Sequence, residues 1–349
     1  MGKKQSIIAM DVHSAFCEGG YIDLHGNEQG SWRKPTSVPE LLEAIDSVPG
    51  TRKLIIEEGP LADWLYRSLA PHVDEMVVCD PHRNALISKD GDKSDALDWR
   101  KLAALYRGGM IKAVHHQQSL ARSLFKQRVQ MYHERVSHRV SEGLKIIWRV
   151  RRLGVFIKQK DLADDDLRQA MLAKISEEMA LEDVRLLLEG YDKAAEQVDK
   201  TRSRLIAMAR QEPIVKAFCD IPGISWIRAA TFFAFVDTPF RFKSKEKLWK
   251  YMGIGLERRQ SGSGHVMLRV PRRCSRPLKN VMLGAALSAI ASGENVFAEQ
   301  HRRWMDNNCS PDVARRNVAR SQAAVMWGMW KSGSEFDPKL VGRTLAQVH

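Results

Sequence analysis

The first 79 residues carry the pattern that most limits the fold of this chain. Three stretches with strand-like composition come first, and a turn signal at 25–27 separates the second from the third. The predicted elements are strands at 6–12, 14–24 and 28–34, a helix at 37–47, a strand at 53–57, a helix at 60–70 and a strand at 75–79. This order predicts an α/β domain built around a sheet.

Acidic residues stand where the predicted strands end. Asp11 and Glu57 each follow a short apolar run, and Asp95 and Asp98 lie three residues apart on one face of a predicted helix. A carboxylate at the end of a buried strand is costly to desolvate unless a cation or a hydrogen-bond donor compensates it. Four such residues therefore indicate a divalent metal site. Each residue alone could instead cap a helix or begin a turn.

Length and composition set broad limits. With 349 residues, 44% of them hydrophobic, the chain is long enough for two globular domains. It contains no apolar run of membrane-spanning length and no long apolar stretch at its N-terminus, which predicts a soluble protein without a secretory signal. The five cysteines form no Cys-x-x-Cys pair, so they indicate neither a zinc knuckle nor a disulfide framework and fit a reducing cytoplasm.

The net charge of +13 is unevenly distributed. Residues 101–160 contain fourteen Lys and Arg against two Asp and Glu, residues 161–200 contain five against twelve, and residues 241–280 contain twelve against two. Two basic segments separated by an acidic one predict two surfaces that face phosphate groups. Nucleic acid is the expected partner.

Between residues 120 and 150 the apolar residues recur every three or four positions, which predicts an amphipathic helix. Its other faces carry the candidate nucleic-acid-binding residues Arg122, Lys126, Arg128, Arg135 and Arg139. The alternative is a packing helix with a solvated basic face. A second helical stretch, predicted at about 168–210, fits an antiparallel helical pair, a coiled-coil dimerisation arm or plain packing within the chain.

Two glycine-containing segments follow. The turn 221–224, Ile-Pro-Gly-Ile, is similar to the turn of a helix-hairpin-helix module, although a purely structural turn fits equally well. Farther on, Ser261-Gly262-Ser263-Gly264 lies in the second basic segment. It is either a flexible hairpin connection or a nucleophile segment, in which Ser261 attacks phosphorus and nearby arginines neutralise the developing charge. The candidates for that role are Arg258, Arg259 and Arg269, and these three together with Arg272 and Arg273 are further candidate nucleic-acid-binding residues. Ser263 and Ser275 are weaker candidates for the nucleophile.

The order of elements in the first 79 residues is similar to that of a ribonuclease H-like fold. Taken with several later motifs, the chain resembles DEDD-type insertion-sequence transposases over about residues 6–290. The matching features are Ile8-Ala9-Met10-Asp11, Glu57-Glu58-Gly59, Trp64-Leu65, Cys79-Asp80-Pro81, Lys93-Ser94-Asp95-Ala96-Leu97-Asp98, Leu102-Ala103, Ile221-Pro222-Gly223-Ile224, Phe240, Phe242, Tyr251-Met252-Gly253 and Gln260-Ser261-Gly262.

The resemblance implies three segments: a RuvC-like metal-binding domain at 1–112, a basic helix with a coiled-coil linker at 113–212, and a mainly helical transposase domain at 213–349. It implies that the four acidic residues bind Mg²⁺ or Mn²⁺ and that Ser261 forms a covalent phosphoserine link to DNA. Family members assemble as homo-oligomers, here expected to be dimers or tetramers, and some use a structured guide RNA. A cytoplasmic, nucleoid-associated location is expected.

The resemblance has one departure that concerns the metal site. Many relatives have Glu-x-Thr-Gly where this chain has Glu57-Glu58-Gly59-Pro60. Because a strand alternates its sides, only one of the two glutamates can face the site, and Glu58 remains an alternative to Glu57. Two other functions stay open: a RuvC-like structure-specific endonuclease that uses water as its nucleophile, and a nonenzymatic basic protein that binds nucleic acid.

Overall fold

The computed structural model of the chain describes residues 5–84, 95–259 and 267–341. The chain divides into two compact units, here called unit 1 (Met1–Ser123) and unit 2 (Leu124–His349). Unit 1 continues past the predicted domain limit at 112 to residue 123, and unit 2 contains the rest of the predicted linker together with the predicted C-terminal domain. The division of the chain into three segments stays a prediction.

Unit 1 contains a six-stranded mixed sheet with strand order β3-β2-β1-β4-β5-β6. Its elements are β1 (Gln5–Val12), β2 (Phe16–Ile22), β3 (Glu28–Pro35), α1 (Val38–Asp46), β4 (Thr51–Glu57), α2 (Ala62–Leu69), β5 (Glu75–Cys79), α3 (Pro81–Asn84), α4 (Asp95–Arg107) and β6 (Ala113–Val114). The seven elements predicted up to residue 79 are present, with every end within two residues of its predicted position. The predicted α/β class is confirmed for this part of the chain.

The central strands are apolar on both sides because helices cover both faces of the sheet. On one face, Ile8 and Ile56 lie in a buried cluster with Leu41 of α1 and Leu65 of α2. On the other face, Ala9, Ile55 and Cys79 lie in a cluster with residues of α4. The continuous apolar run in β1 and β4 is thus explained by burial on two sides, and the acidic residues of these strands come only at their carboxyl ends.

Helix α4 lies unusually close to the sheet because β2 has glycine at the contact. A Cβ atom at Gly20 would lie 2.4 Å from the six-membered ring of Trp99 and 2.7 Å from the carbonyl oxygen of Gly30. The Trp99 side chain is almost fully buried. The first turns of α4 are therefore held against β1 and β2 by a contact that only glycine permits.

Unit 2 is mainly helical. Its elements are α5 (Leu120–Arg151, which begins at the end of unit 1), α6 (Asp165–Leu172), α7 (Glu178–Ala209), α8 (Pro213–Phe218), α9 (Trp226–Val236), α10 (Lys245–Tyr251), β7 (Glu257–Arg259), β8 (Met267–Arg269), α11 (Arg276–Ala291), α12 (Val296–Asp306) and α13 (Pro311–Ser332). In the described residues, no single helix has the length and hydrophobicity to cross a membrane; α11 and α12 meet these criteria only as a pair bent by 89°.

Helices α5 and α7 run antiparallel. The start of α5 shares a buried cluster with the end of α7, through Phe125 and Leu205, and the end of α5 shares another with the start of α7, through Ile146 and Val184. The predicted antiparallel pair is therefore present within one chain. The helical stretch predicted at about 168–210 is present as α6 and α7, with an interruption at 173–177, where Ile175 is buried in the second cluster.

Candidate metal and nucleic-acid sites

The structure brings Asp11 and Glu57 together at the carboxyl ends of neighbouring strands. Strands β1 and β4 are parallel, with Met10 opposite Ile56, so that Asp11 and Glu57 are the next residues along. Neighbouring strands lie about 4.8 Å apart, and alternation puts both residues on the sheet face that α4 covers. Both residues line a cavity of about 290 Å³, here called the carboxylate cleft.

A third carboxylate lies beside Asp11. Glu18 of β2 is directly opposite Asp11 in the antiparallel register and is therefore on the same face. Like charges in this position repel each other unless a cation compensates them. Arg33 Nη1 lies 3.3 Å from Glu18 Oε1, and His13 Nε2 lies 3.0 Å from Asp11 Oδ2. Glu18, Arg33 and His13 were not among the site residues predicted from sequence, although the short connection between the first two predicted strands could have indicated the cross-strand pair of Asp11 and Glu18.

The other two predicted ligands lie on α4, which begins at Asp95. Positions 95 and 98 precede Trp99 and Leu102 by four residues each, a spacing that puts residues on one face of a helix. The side chains of Asp95 and Asp98 are outside the described part of the structure. Within that part, no group of three or more His, Cys, Asp or Glu side chains is arranged to hold one metal ion.

Glu58 has different neighbours from Glu57. Its backbone N–H donates to the carbonyl oxygen of Cys79 at 2.9 Å, and its Oε2 lies 2.5 Å from Nε2 of His116. The other ring nitrogen of His116, Nδ1, lies 3.7 Å from Asp63 Oδ1. The imidazole of His116 therefore lies between two carboxylates, and only 8% of this side chain is exposed.

Asp63 is itself held on α2 by hydrogen-bond donors. It accepts a hydrogen bond from Ser123 Oγ at 2.5 Å and another from the guanidinium of Arg67. Burial opposes ionisation of Asp63, but these hydrogen bonds and the positive charge of Arg67 together hold the pKa of its carboxyl below the usual value. This carboxylate is thus stably charged beside His116. Neither Asp63 nor His116 was among the residues predicted from sequence.

The candidate nucleophile Ser261 lies in the segment 260–266, outside the described residues, as does its rival Ser263. The chain on either side of this segment is held by backbone and side-chain hydrogen bonds. Strands β7 and β8 pair antiparallel on either side of the segment, with Glu257 opposite Arg269. The residues that flank the two strands are also joined, because the backbone N–H of Ser275 donates to the carbonyl oxygen of Tyr251 at 2.8 Å.

Helix α13 fixes the chain that leads into this hairpin. Arg320 Nε donates to the carbonyl oxygen of Ile254 at 2.6 Å. Gly253 has a φ of 70°, and a Cβ atom there would lie 2.5 Å from Cys274 Sγ, so that only glycine fits. The hydroxyl oxygen of Ser275, the third serine considered from sequence, is buried without a hydrogen-bond partner among the described residues. A buried hydroxyl is poorly placed to reach DNA.

Several predicted DNA contacts are available on the surface of unit 2. Arg269, Arg272 and Arg273 are exposed, and the last two make no ion pair with any described residue. Arg258 and Arg259 lie on β7, but their side chains are outside the described part. Arg269, Arg272 and Arg273 are here called the basic rim of the hairpin that flanks the serine segment.

On α5, the predicted basic residues differ in their surroundings. Lys126 is exposed, Arg128 and Arg139 are half-buried, and none of the three makes an ion pair with a described residue. Arg135 instead donates a hydrogen bond of 3.0 Å to Gln197 of α7, and Arg122 is half-buried. Part of the basic face thus helps to hold the helix pair together, and part of it remains available to phosphate groups.

The glycine turn at 221–224 packs against α11. Gly223 has a φ of 82°, and a Cβ atom there would lie 2.3 Å from the carbonyl oxygen of Ala285. Gln322 donates to the carbonyl oxygen of Pro222 at 2.9 Å, and Arg228 donates to that of Gly223 at 2.6 Å. These contacts give the turn a structural role, whereas its approach to a phosphate group stays a prediction.

Comparison with known protein families gives a match to part of the chain. Residues 215–302 match the family model described as Transposase IS116/IS110/IS902 family. The matched segment is about a quarter of the chain and runs from α8 into α12, with the β7–β8 hairpin between them. No curated protein matches the chain. The match supports an insertion-sequence transposase function, that is, a DNA-recombining enzyme.

Proposed function

We propose that the chain is a metal-dependent insertion-sequence transposase that cuts and rejoins DNA through a covalent phosphoserine at Ser261. The family match over 215–302 supports the transposase activity. The observation that carries the metal-dependent chemistry is the placement of Asp11 and Glu57 side by side at the ends of parallel strands, where both line the carboxylate cleft. The RuvC-like character of unit 1 is part of this proposal.

The donor atoms at the carboxylate cleft fit a hard divalent cation. Asp11 and Glu57 offer carboxylate oxygens, which are the ligands that Mg²⁺ and Mn²⁺ prefer. Glu18 adds negative charge on the same sheet face, which favours a cation there. Asp95 and Asp98 on α4 are the further proposed ligands. When bound, the cation would polarise a phosphodiester as a Lewis acid.

The proposed reaction exchanges one phosphoester for another. The Oγ atom of Ser261 forms a bond to phosphorus while the bond to the leaving sugar oxygen breaks; the serine hydroxyl loses its proton, and the leaving oxygen gains one. Since a phosphoester is conserved, a second strand can later displace the serine without ATP. Arg258, Arg259 and Arg269 on β7 and β8 are the proposed groups that neutralise charge on the phosphoryl oxygens.

The exposed basic residues supply the proposed nucleic-acid surfaces. Arg272 and Arg273 extend the basic rim beyond β8, and Lys126, Arg128 and Arg139 provide positive charge on α5. Contacts of this kind hold the nucleic-acid backbone, so sequence would be read by base pairing if a structured guide RNA is present. The guide RNA, a homo-oligomeric assembly and a cytoplasmic, nucleoid-associated location are all parts of the proposal.

The test is the formation of a covalent adduct. Purified full-length protein is incubated with Mg²⁺ and DNA that spans a candidate element junction, with and without RNA transcribed from its flanks, and the products are separated on a denaturing gel. We expect a protein–DNA adduct that is lost in Ser261→Ala and in Asp11→Ala but retained in the matched control Ser263→Ala.

Other outcomes would favour the alternative functions. Mg²⁺-dependent cleavage without an adduct, unchanged in Ser261→Ala, would indicate a structure-specific endonuclease that uses water. DNA binding without cleavage or metal binding would indicate a nonenzymatic protein. An adduct that survives Asp11→Ala would refute the role of the carboxylate cleft.

A further inference from the structure

Glu57 is the last residue of β4 and Glu58 follows it, and the two side chains have different neighbours. Alternation along β4 puts Glu57 on the α4 face, together with Ile55. Glu58 also lines the carboxylate cleft, and 41% of its side chain is exposed, but its Oε2 lies 2.5 Å from His116 Nε2. Glu58 is therefore bound to a nitrogen donor at the edge of the cleft.

His116 is well placed to hold Glu58 because the imidazole is itself fixed. It follows β6, the short strand that pairs with β5, and its ring centroid lies 5.5 Å from that of Tyr66 on α2. Its Nδ1 faces Asp63, which Arg67 and Ser123 hold in turn. With carboxylates on two sides and little exposure, the ring has one favoured orientation.

We infer that His116 is a positioning residue that keeps Glu58 away from the proposed metal ion and leaves Glu57 as the ligand at the end of β4. The inference rests on the proposed function. Without the Nε2 donor, the Glu58 carboxylate would be released into a cleft that already holds Asp11 and Glu57. An additional carboxylate near a divalent cation raises affinity and changes the number of ligands.

The experiment measures Mn²⁺ binding to the full-length protein by titration calorimetry, without DNA. His116→Phe keeps an aromatic ring beside Tyr66 but removes both ring nitrogens, and we expect it to bind Mn²⁺ about threefold to tenfold more tightly than the wild type. His116→Gln keeps an amide donor near the Nε2 position and should stay within about twofold of the wild type. In Glu58→Gln the affinity should also be nearly unchanged.

The double variant His116→Phe/Glu58→Gln decides whether the released carboxylate is the cause. If it is, the double variant returns to the wild-type affinity, which a general loosening of the fold would not produce. If His116→Phe fails to fold, His116→Asn replaces it, because its amide can reach Asp63 but not Glu58. Unchanged affinity in His116→Phe, or in His116→Asn where that variant replaces it, would overturn the inference, as would tighter binding that persists in the double variant.

A further variant separates this inference from the proposed function. Asp11→Asn should lose most Mn²⁺ binding. If it does, and the His116 variants behave like the wild type, then only the role of His116 is refuted. If Asp11→Asn binds Mn²⁺ normally, the proposed metal site is refuted, together with the inference that depends on it.

Discussion

The close contact between Gly20 and Trp99 gives a quantitative test of how α4 is held on the sheet. In Gly20→Ala, the new Cβ atom would lie 2.4 Å from the Trp99 ring, whereas ordinary contacts begin near 3.4 Å. The ring, and α4 with it, must therefore move by about 1 Å. The carbonyl oxygen of Gly30, 2.7 Å away, restricts movement in the other direction.

The cost of this substitution follows from two opposing terms. Overpacking of a tight core destabilises a protein by about 1–3 kcal/mol. Alanine also reduces the conformational freedom of the unfolded chain, which stabilises the folded state by about 0.4–1 kcal/mol. We therefore expect Gly20→Ala to lower the free energy of unfolding of unit 1 by about 1–2 kcal/mol. Because Asp95 and Asp98 belong to the displaced helix, the proposed metal-dependent cleavage should fall about a hundredfold, as it does for a 1 Å misplacement at an active site.

The assay combines urea unfolding with hydrogen exchange of peptides from β1, β2 and α4, since the two units need not unfold together. Trp99→Phe removes the ring atoms that the new Cβ would meet, so it should destabilise the wild type but partly rescue Gly20→Ala. Gly190→Ala on α7, where the nearest atom is 3.8 Å away, is the matched control and should be neutral or stabilising. A Gly20→Ala protein with wild-type stability, or no rescue by Trp99→Phe, would refute the reasoning.

Three other predictions concern unit 2. Gly223→Ala combines a φ of 82° with a distance of only 2.3 Å between the new Cβ atom and the carbonyl oxygen of Ala285 in α11, and it should cost about 2–4 kcal/mol of stability. Gly293→Ala, with a φ of 80° and open space around it, should cost only about 1–2 kcal/mol; urea unfolding compares the two variants. Burial lowers the pKa of His133 in the folded protein, so below about pH 6.5 the unfolded chain binds more protons at this residue than the folded chain does. The free energy of unfolding should therefore fall as the pH falls, by at most about 1.4 kcal/mol per pH unit. Urea unfolding between pH 7.5 and 5 should show this loss for the wild type but a weaker one for His133→Gln. Replacing Arg272 and Arg273 by alanine should reduce the slope of log K against log salt for DNA binding by about 1 per residue, measured by fluorescence anisotropy.

Each of these predictions has an outcome that would contradict it. Equal losses in the two glycine variants would mean that the overlap with α11 is relieved at no cost. Identical pH profiles for His133→Gln and the wild type would assign the loss to other groups. An unchanged salt slope in the arginine variant would mean that Arg272 and Arg273 do not contact DNA phosphates.

Local pattern was sufficient to predict much of unit 1. The strands and helices up to residue 79 follow from apolar runs, turn residues and helical period, which depend only on neighbours in sequence. The same holds for the amphipathic helix that became α5. The break at 173–177 was missed because Ile175 leaves the helix to fill a cluster formed by residues far away in sequence, a contact that local propensity does not report.

The sequence by itself determined that Asp11 and Glu57 end buried strands and that positive charge is concentrated in two segments. Only the tertiary structure decided that β1 and β4 are adjacent and parallel, which puts these two carboxylates side by side. It also decided that Glu58 meets His116, 58 residues farther along the chain. The physical reason is that strand alternation and helical period act over a few residues, whereas strand order and side-chain contacts across a sheet depend on long-range packing of the whole unit.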